Sequence, residues 1–318
     1  MRGFFLACLI AFYPLFSHKE LRDNKLIEEK ILVVNKGDSL RIIANELAKQ
    51  GVIKNQVLFE FFARLYNLDR EIKSGEYYVN TSQSIQDILS DLSLGSVINN
   101  RITFPEGASS YQILDILHSV DSLIGQIIKL PSEGTLSPNT YFYSNGQPKA
   151  LILEQMQYAQ RKILKRNWQT RQKNLLLKNP EDLLILASII EKESGSDSER
   201  VIISSVLHNR LKNNMRLQAD PTVIYGITKG RNSLGRRLLR SDLKVFSVYN
   251  TYMIDGLPKA PICNPGEASL FAAANPANTN YLYYVANGQG GHTFSETLEE
   301  HNKNVRIWRN LRDASEGN

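Results

Sequence analysis

Cysteine and histidine are both scarce, and each scarcity removes a class of chemistry. Of the 318 residues only Cys8 and Cys263 are cysteines. Cys8 lies inside an N-terminal apolar run and Cys263 stands alone in "APICNPG", so no intrachain disulfide is expected and the redox compartment stays open. The five histidines, His18, His118, His208, His292 and His301, show neither H-x-x-x-H nor paired-cysteine spacing. That argues against a zinc site, and no metal or cofactor is expected. Internal repeats, low-complexity tracts, zinc fingers and RNA-recognition signatures are also missing. The net charge of +6 and the pI of about 9.1 would suit nucleic acid, anionic lipid or an anionic polymer. Because the basic residues are scattered rather than clustered, nucleic acid is not expected.

What is present describes a globular chain. Apolar residues make up 42% and charged residues 22%, enough for one large or two smaller domains. The start, "MRGFFLACLIAFYPLF", places Arg2 before an apolar run that ends at Phe16. About 14 apolar residues are short for a spanning helix, which needs roughly 17 to 25, and fit a signal-peptide core better. No small-x-small cleavage site follows, which favours an uncleaved membrane anchor over residues 1–17, with a buried N-terminal helix as the alternative. A charged stalk, 18–30, comes next. With Arg2 retained on the inner side, the bulk of the chain is expected outside the cytoplasm, on a single membrane pass.

The expected fold class is α+β. "ILVVNKGDSLRIIANELAKQGVI" reads as a strand, a turn and an amphipathic helix with Asp38 or Ser39 as N-cap. A second helix is predicted in "NQVLFEFFARLYNL", with Val57, Leu58, Phe61, Phe62 and Leu65 at helical spacing. A strand in "KSGEYYVN" and a third helix closed by Gly95 complete a module over residues 31–98. Residues 99–180 form a connecting region that opens with the strand "NRITFPEG" and includes the basic helical stretch "RKILKRNWQTRQK", read as a solvated face. Distinctive residues concentrate over 181–318, the expected catalytic domain.

"PEDLLILASIIEKES" begins with Pro180, Glu181 and Asp182, residues that suit the positive end of a helix. At about 100° per residue, Leu183, Leu186, Ala187 and Ile190 form a buried stripe. Glu193 extends that stripe, Glu191 lies to the side and Lys192 points away. A carboxyl at the edge of apolar surface has its charged form disfavoured, so its pKa should rise toward the range of a general acid. The structural alternative is a helix-end glutamate paired with Arg200 or Arg210.

Downstream, in "SERVIISSVLHNRL", Val201 to Leu211 reads as an amphipathic helix. "MRLQADPTVIYG" is read as a loop that packs Gln218, Asp220, Thr222 and Tyr225 closely. "YNTYMIDGLPKAPICNPG" adds Asn250, Thr251 and Tyr252, and "YLYYVANGQGGHTFSETLEEHN" offers a tyrosine-rich strand, a glycine turn and His292. Aromatic rings that stack on pyranose faces and short amides and hydroxyls that bond to sugar hydroxyls would suit a glycan cleft. Ordinary loop chemistry would account for each cluster taken singly.

"LASIIEKESGSDSERVIISSVLHNRL", "MRLQADPTVIYG", "YNTY", "GLPKAPICNPG" and "GGHTFSETLEEHN", in that order, resemble the endolytic murein transglycosylases, the MltG/YceG-like family. Upstream, "FPEG" and "EGTLSPNTY" resemble family motifs, the latter departing from the family's form at Ser137 and Asn139, and residues 31–98 resemble its LysM-like module. The family's catalytic glutamate, second in E-K-E-[ST], falls on Glu193, with Ser194 after it.

The resemblance implies a lytic transglycosylase that cleaves the β-1,4 bond between N-acetylmuramic acid and N-acetylglucosamine and leaves 1,6-anhydro ends, limiting glycan strand length. Gln218, Asp220, Thr222, Tyr225, Asn250, Tyr252 and His292 are the candidates for lining the cleft. Should a second carboxylate take part, Asp220 and Glu199 are the choices, although Asp220 before Pro221 suits a loop-holder and Glu199 an ion pair near Arg200. The implied partners are glycan strands, the membrane through the N-terminal segment, and peptidoglycan synthases. A hydrolytic muramidase and a non-catalytic, membrane-anchored glycan-binding scaffold are the rival readings.

Overall fold

A computed structural model describes residues 29–95 and 100–316, so the expected anchor over 1–17 and nearly all of the stalk lie outside the described residues. None of the described helices is long and apolar enough to cross a membrane. The chain divides into two compact units, Met1–Ile98 and Asn99–Asn318. Both mix helices with small two-stranded antiparallel sheets.

In the first unit β1 (Glu29–Val34) pairs antiparallel with β2 (Gly75–Asn80), Leu32 opposite Tyr77. Three helices cover this ribbon: α1 (Leu40–Lys49), α2 (Gln56–Leu65) and α3 (Ile85–Leu94). Each starts on a side-chain cap, from Ser39, Asn55 and Ser84, and α3 ends at Gly95 in the left-handed conformation. Leu32, Leu47, Phe59, Tyr77, Ile88, Leu89 and Leu92 form the core. On α2 the buried side differs from the expected one. Phe59 and Ala63 point inward, whereas Val57, Phe61 and Leu65 are exposed. The helix is apolar on more than one side, so spacing alone does not say which side meets the core.

The second unit begins with β3 (Asn100–Thr103), paired antiparallel to β4 (Thr140–Tyr143), and α4 (Ser110–His118) between them. These pack with α5 (Lys149–Gln169) around Phe104, Ile113, Leu117, Leu136, Ile152 and Met156. Residues 99–180 thus share a unit with everything downstream. A second core surrounds α6 (Pro180–Glu193), which is packed by α5, α7 (Arg200–Lys212), α8 (Asp220–Thr228) and α9 (Glu267–Ala274). A hairpin of β5 (Tyr283–Ala286) and β6 (His292–Ser295) and a final helix, α10 (Leu298–Glu316), complete the unit.

Two elements depart from expectation. All eight residues from Leu183 to Ile190 are buried, so α6 carries no mere stripe: neighbours surround it. The segment after Ala219, read as a loop, is α8, because Asp220 and Pro221 form its first turn, where proline's missing N–H costs no bond.

Gly134 shows how tightly the 131–139 loop is held against α6. Its φ is +81°, and a Cβ there would lie 2.8 Å from the Pro261 ring and 3.2 Å from a Leu184 methyl. Replacing Gly134 with alanine would combine a left-handed backbone with overpacking, a loss of about 2–4 kcal/mol. Denaturant unfolding should show that loss as a lower midpoint at unchanged slope.

Candidate active site

Glu193 is the last residue of α6. Asn179 caps the other end by accepting from the Asp182 amide, Pro180 takes the first turn, and Glu181 and Asp182 complement the dipole. At the C-terminal end Ser194 leaves the helix in an extended conformation. Its amide still donates to the Ile190 carbonyl at 2.9 Å while its hydroxyl donates to the Ser196 carbonyl at 2.7 Å, which fixes where the helix stops. The rigid cylinder behind Glu193 therefore sets the position of its carboxyl group.

Around that carboxyl the chain gathers Tyr284 of β5, Arg210 of α7, Asp220 at the start of α8, and Tyr252. The Tyr284 hydroxyl faces it, and hydrogen bonding from that hydroxyl favours the ionised form. Glu193 has its pKa raised to about 7, first by loss of water and then by the negative charge of Asp220; the Tyr284 bond and the Arg210 charge oppose the rise. Among the described residues neither Arg210 nor Arg200 closes an ion pair with Glu193. The structural alternative of a paired helix-end glutamate does not describe this group.

Arg210 is held by backbone instead: Nε donates to the Leu282 carbonyl at 2.7 Å and Nη1 to the Leu217 carbonyl at 2.9 Å. Arg200 serves the other side of α6. It pairs with Glu191 at 3.5 Å, with Glu106 at 3.6 Å and with Asp197, and its Nε donates to the Ser269 hydroxyl. Glu191 also accepts from the Gly266 amide at 2.9 Å, so this glutamate is enclosed rather than lying free at the side.

The sequence candidates separate into two groups. Gln218, Asp220, Tyr252 and His292 come to the Glu193 side. Gln218 holds a left-handed φ of 50° with its amide oxygen 3.4 Å from Arg210, the Tyr252 hydroxyl donates to Asp220 at 2.6 Å, and His292 packs edge-on against Tyr284. Thr222, Asn250 and Tyr225 do not line a cleft there. Thr222 is fully buried and bonded to Thr251 and the Ala219 carbonyl. Asn250, also buried, donates to the Leu243 and Val245 carbonyls. Both satisfy backbone groups that the turns leave without partners. Tyr225 donates to Glu133, whose carboxyl also accepts from the Ser110 amide and Asn264.

Glu199 departs from expectation as well. It does not pair with Arg200; its two oxygens accept from the His292 amide and ring Nδ1, each at 2.8 Å.

Tyr284 and Arg210 are the site residues the sequence candidates omit. Arg210 could have been found by the argument that singled out Glu193, since it continues the Ile203–Leu207 stripe of α7. Tyr284 sits in a run of tyrosines that carries no such signal. Among the described residues no group of three or more His, Cys, Asp or Glu side chains is placed to hold a metal ion. A cavity of about 470 Å³ against Leu184, Gln160 and Arg161 lies by the N-terminal half of α6, away from Glu193. Titratable groups with perturbed pKa values converge around Glu193 rather than around this cavity.

Comparison with known proteins agrees with the motifs. A model of the YceG-like family matches residues 32–307. The endolytic murein transglycosylase of Bacillus subtilis (strain 168) is 32% identical over 306 residues, covering 84% of this chain and 81% of that one. That of Streptococcus pneumoniae serotype 2 is 26% identical over 86% of this chain, which spans 57% of its length. The crystal structure of a putative YceG-like protein from Listeria monocytogenes, 30% identical, superposes with a TM-score of 0.53 over 87% of this chain and 98% of its own. By the extent of the family match and the similarity of these relatives, the chain belongs to the YceG-like family.

Proposed function

We propose that the protein is an endolytic lytic transglycosylase that acts on peptidoglycan through Glu193. The observation that carries this reading is a single carboxyl, fixed at the end of an enclosed helix, whose pKa, raised to about 7, leaves both its acid and its base form well populated near neutrality. Such a group can donate its proton to the glycosidic oxygen between N-acetylmuramic acid and N-acetylglucosamine as the C1–O bond breaks. The resulting carboxylate then takes the proton of the muramoyl C6 hydroxyl, whose oxygen attacks C1 and closes the 1,6-anhydro ring. The proton given in the first half returns in the second, and no water is consumed.

Most glycosidases place two carboxyls roughly 5 to 9.5 Å apart, the second acting as nucleophile or base. Asp220 occupies the neighbouring position here, but its carboxylate is engaged by Tyr252 and its charge acts to keep Glu193 protonated. That arrangement supports one acid–base group with an electrostatic helper. The substrate's own 2-acetamido group can stabilise the cation. A hydrolytic muramidase, the second reading, is favoured only by the presence of Asp220.

The proposal places the active region outside the cytoplasm, held by residues 1–17, with the 31–98 unit as a LysM-like module and peptidoglycan synthases as partners. Cutting nascent strands near the membrane would set their length. The test is to incubate the protein with uncross-linked peptidoglycan strands and identify the new chain ends by mass spectrometry. Anhydro-muramoyl ends are expected. Reducing ends would make it a hydrolase, and strand binding without cleavage would favour a scaffold.

A further inference from the structure

The turn that follows Glu193 and the β5–β6 hairpin meet at close range. A Cβ on Gly195 would lie 3.1 Å from the Gly290 carbonyl oxygen, and one on Gly291 would lie 2.7 Å from Glu199 Oε1. Glycine at those positions lets the two backbones approach. In the gap sits the Glu199 carboxylate, on the short 3-10 turn Asp197–Glu199, holding the start of β6 by both the amide and the ring Nδ1 of His292.

On the hairpin, Tyr284 lies opposite Phe294 and Ala286 opposite His292, so Tyr284, Phe294 and His292 share one face. The His292 ring stands at 89° to the Tyr284 ring, with centroids 5.4 Å apart. The Tyr284 hydroxyl in turn faces the Glu193 carboxyl. Its neighbour Arg200, turned toward Glu191, Asp197 and Glu106, leaves Glu199 to His292.

We infer that Glu199 is a positioning residue: by fixing the His292 ring it holds the Tyr284 hydroxyl against the Glu193 carboxyl. This rests on the acid–base role proposed for Glu193. A carboxylate that orients a histidine sets its tautomer and ring plane, as outer carboxylates do for histidines that bind metals. Here the oriented ring braces a tyrosine. Other groups facing Glu193 are Asp220, Arg210 and Tyr252, whose side-chain bonds run to one another, to Gln218 and to backbone carbonyls, whereas those of Glu199 run to His292.

The test uses the full chain on uncross-linked peptidoglycan strands, with kcat, KM, melting temperature and the pH profile measured for Glu199→Ala, Glu199→Gln, Tyr284→Phe and the Glu199→Ala/Tyr284→Phe double variant. Glu199→Ala should lower kcat about 10–100-fold, by analogy with the loss of outer-shell partners, and leave KM within about twofold. Glu199→Gln keeps an acceptor for the His292 amide and should fall between. Since the Tyr284 bond favours the ionised carboxyl, loosening it should move the basic limb of the profile to higher pH. Tyr284→Phe should move it the same way, and the double variant should lose no more than Tyr284→Phe alone.

Multiplying losses, a parental kcat in Glu199→Ala, or a fall matched by its unfolded fraction would each overturn the inference. Parental cleavage by Glu193→Gln would remove the acid–base reading itself. An inactive Glu193→Gln beside fully active Glu199 variants would sink only the positioning role.

Discussion

Glu193→Gln is expected to abolish strand cleavage and, above pH 7, to make the protein more stable than the parent. The first effect follows from the lost proton: general acid–base catalysis by a placed side chain contributes about 10²–10⁴-fold, and here one group serves both half-reactions. The second follows from linkage. The folded-state pKa, raised to about 7 from an ordinary 4.5, means that the folded protein binds this proton more tightly than the unfolded chain. Stability from that preference is fully present below pH 4.5 and is lost as pH rises through 7. The loss is at most on the order of 3 kcal/mol for the partly buried carboxyl. Glutamine, uncharged and of the same shape, does not incur it.

Melting curves of the two proteins should therefore coincide near pH 4 and separate above pH 7, with the variant higher. Equal stability at every pH would mean that Glu193 is solvated and not tuned. The rate profile should share the same titration: the resting enzyme needs the protonated acid, so kcat/KM should fall as pH rises through about 7. A flat profile to pH 9 would argue against Glu193 as the proton donor.

The extent to which this arrangement can be read from sequence depends on what each residue bonds to. Helix ends are the most legible, because Pro180, Glu181 and Asp182, and Ser84 with Gly95, carry their own local chemistry. The inward aim of Glu193 is legible because it continues a run of apolar neighbours. By contrast, periodicity identifies an apolar side without naming its partner, so on α2 it selects Phe61, which the fold leaves exposed, over Phe59. Short polar residues in turns are the least legible. Thr222 and Asn250 look like ligands for a sugar, yet they satisfy buried backbone groups whose positions no local pattern reveals. Adjacency misleads at Glu199 and Arg200 for a related reason: where the 3-10 turn passes into α7, successive side chains leave in different directions and find different partners.

Replacing Arg210 with methionine should produce the largest loss of stability at the site. Arg210 is 8% exposed, and its guanidinium ties α7 to two other segments: Leu282 just before β5, and residues 216–218 just before α8. Methionine fills much of the same volume but donates nothing, leaving the Leu282 and Leu217 carbonyls without their bonds. At about 1–3 kcal/mol for each buried group left unsatisfied, the expected cost is about 3 kcal/mol, seen as a lower denaturant midpoint at unchanged slope. Gln218, whose backbone is left-handed, would also lose the cation beside its amide oxygen.

Function should respond separately. Arg210 favours the ionised form of Glu193, so its removal should carry the basic limb of the rate profile upward in pH even under conditions where the variant is fully folded. Arg210→Lys divides the two roles. It keeps the positive charge but not the fork that reaches both carbonyls, so it should lose stability while keeping the limb near the parental pH. A lysine variant whose limb moves as far as that of methionine would show that Arg210 acts on Glu193 by holding Tyr284 and Gln218 in place rather than through its charge.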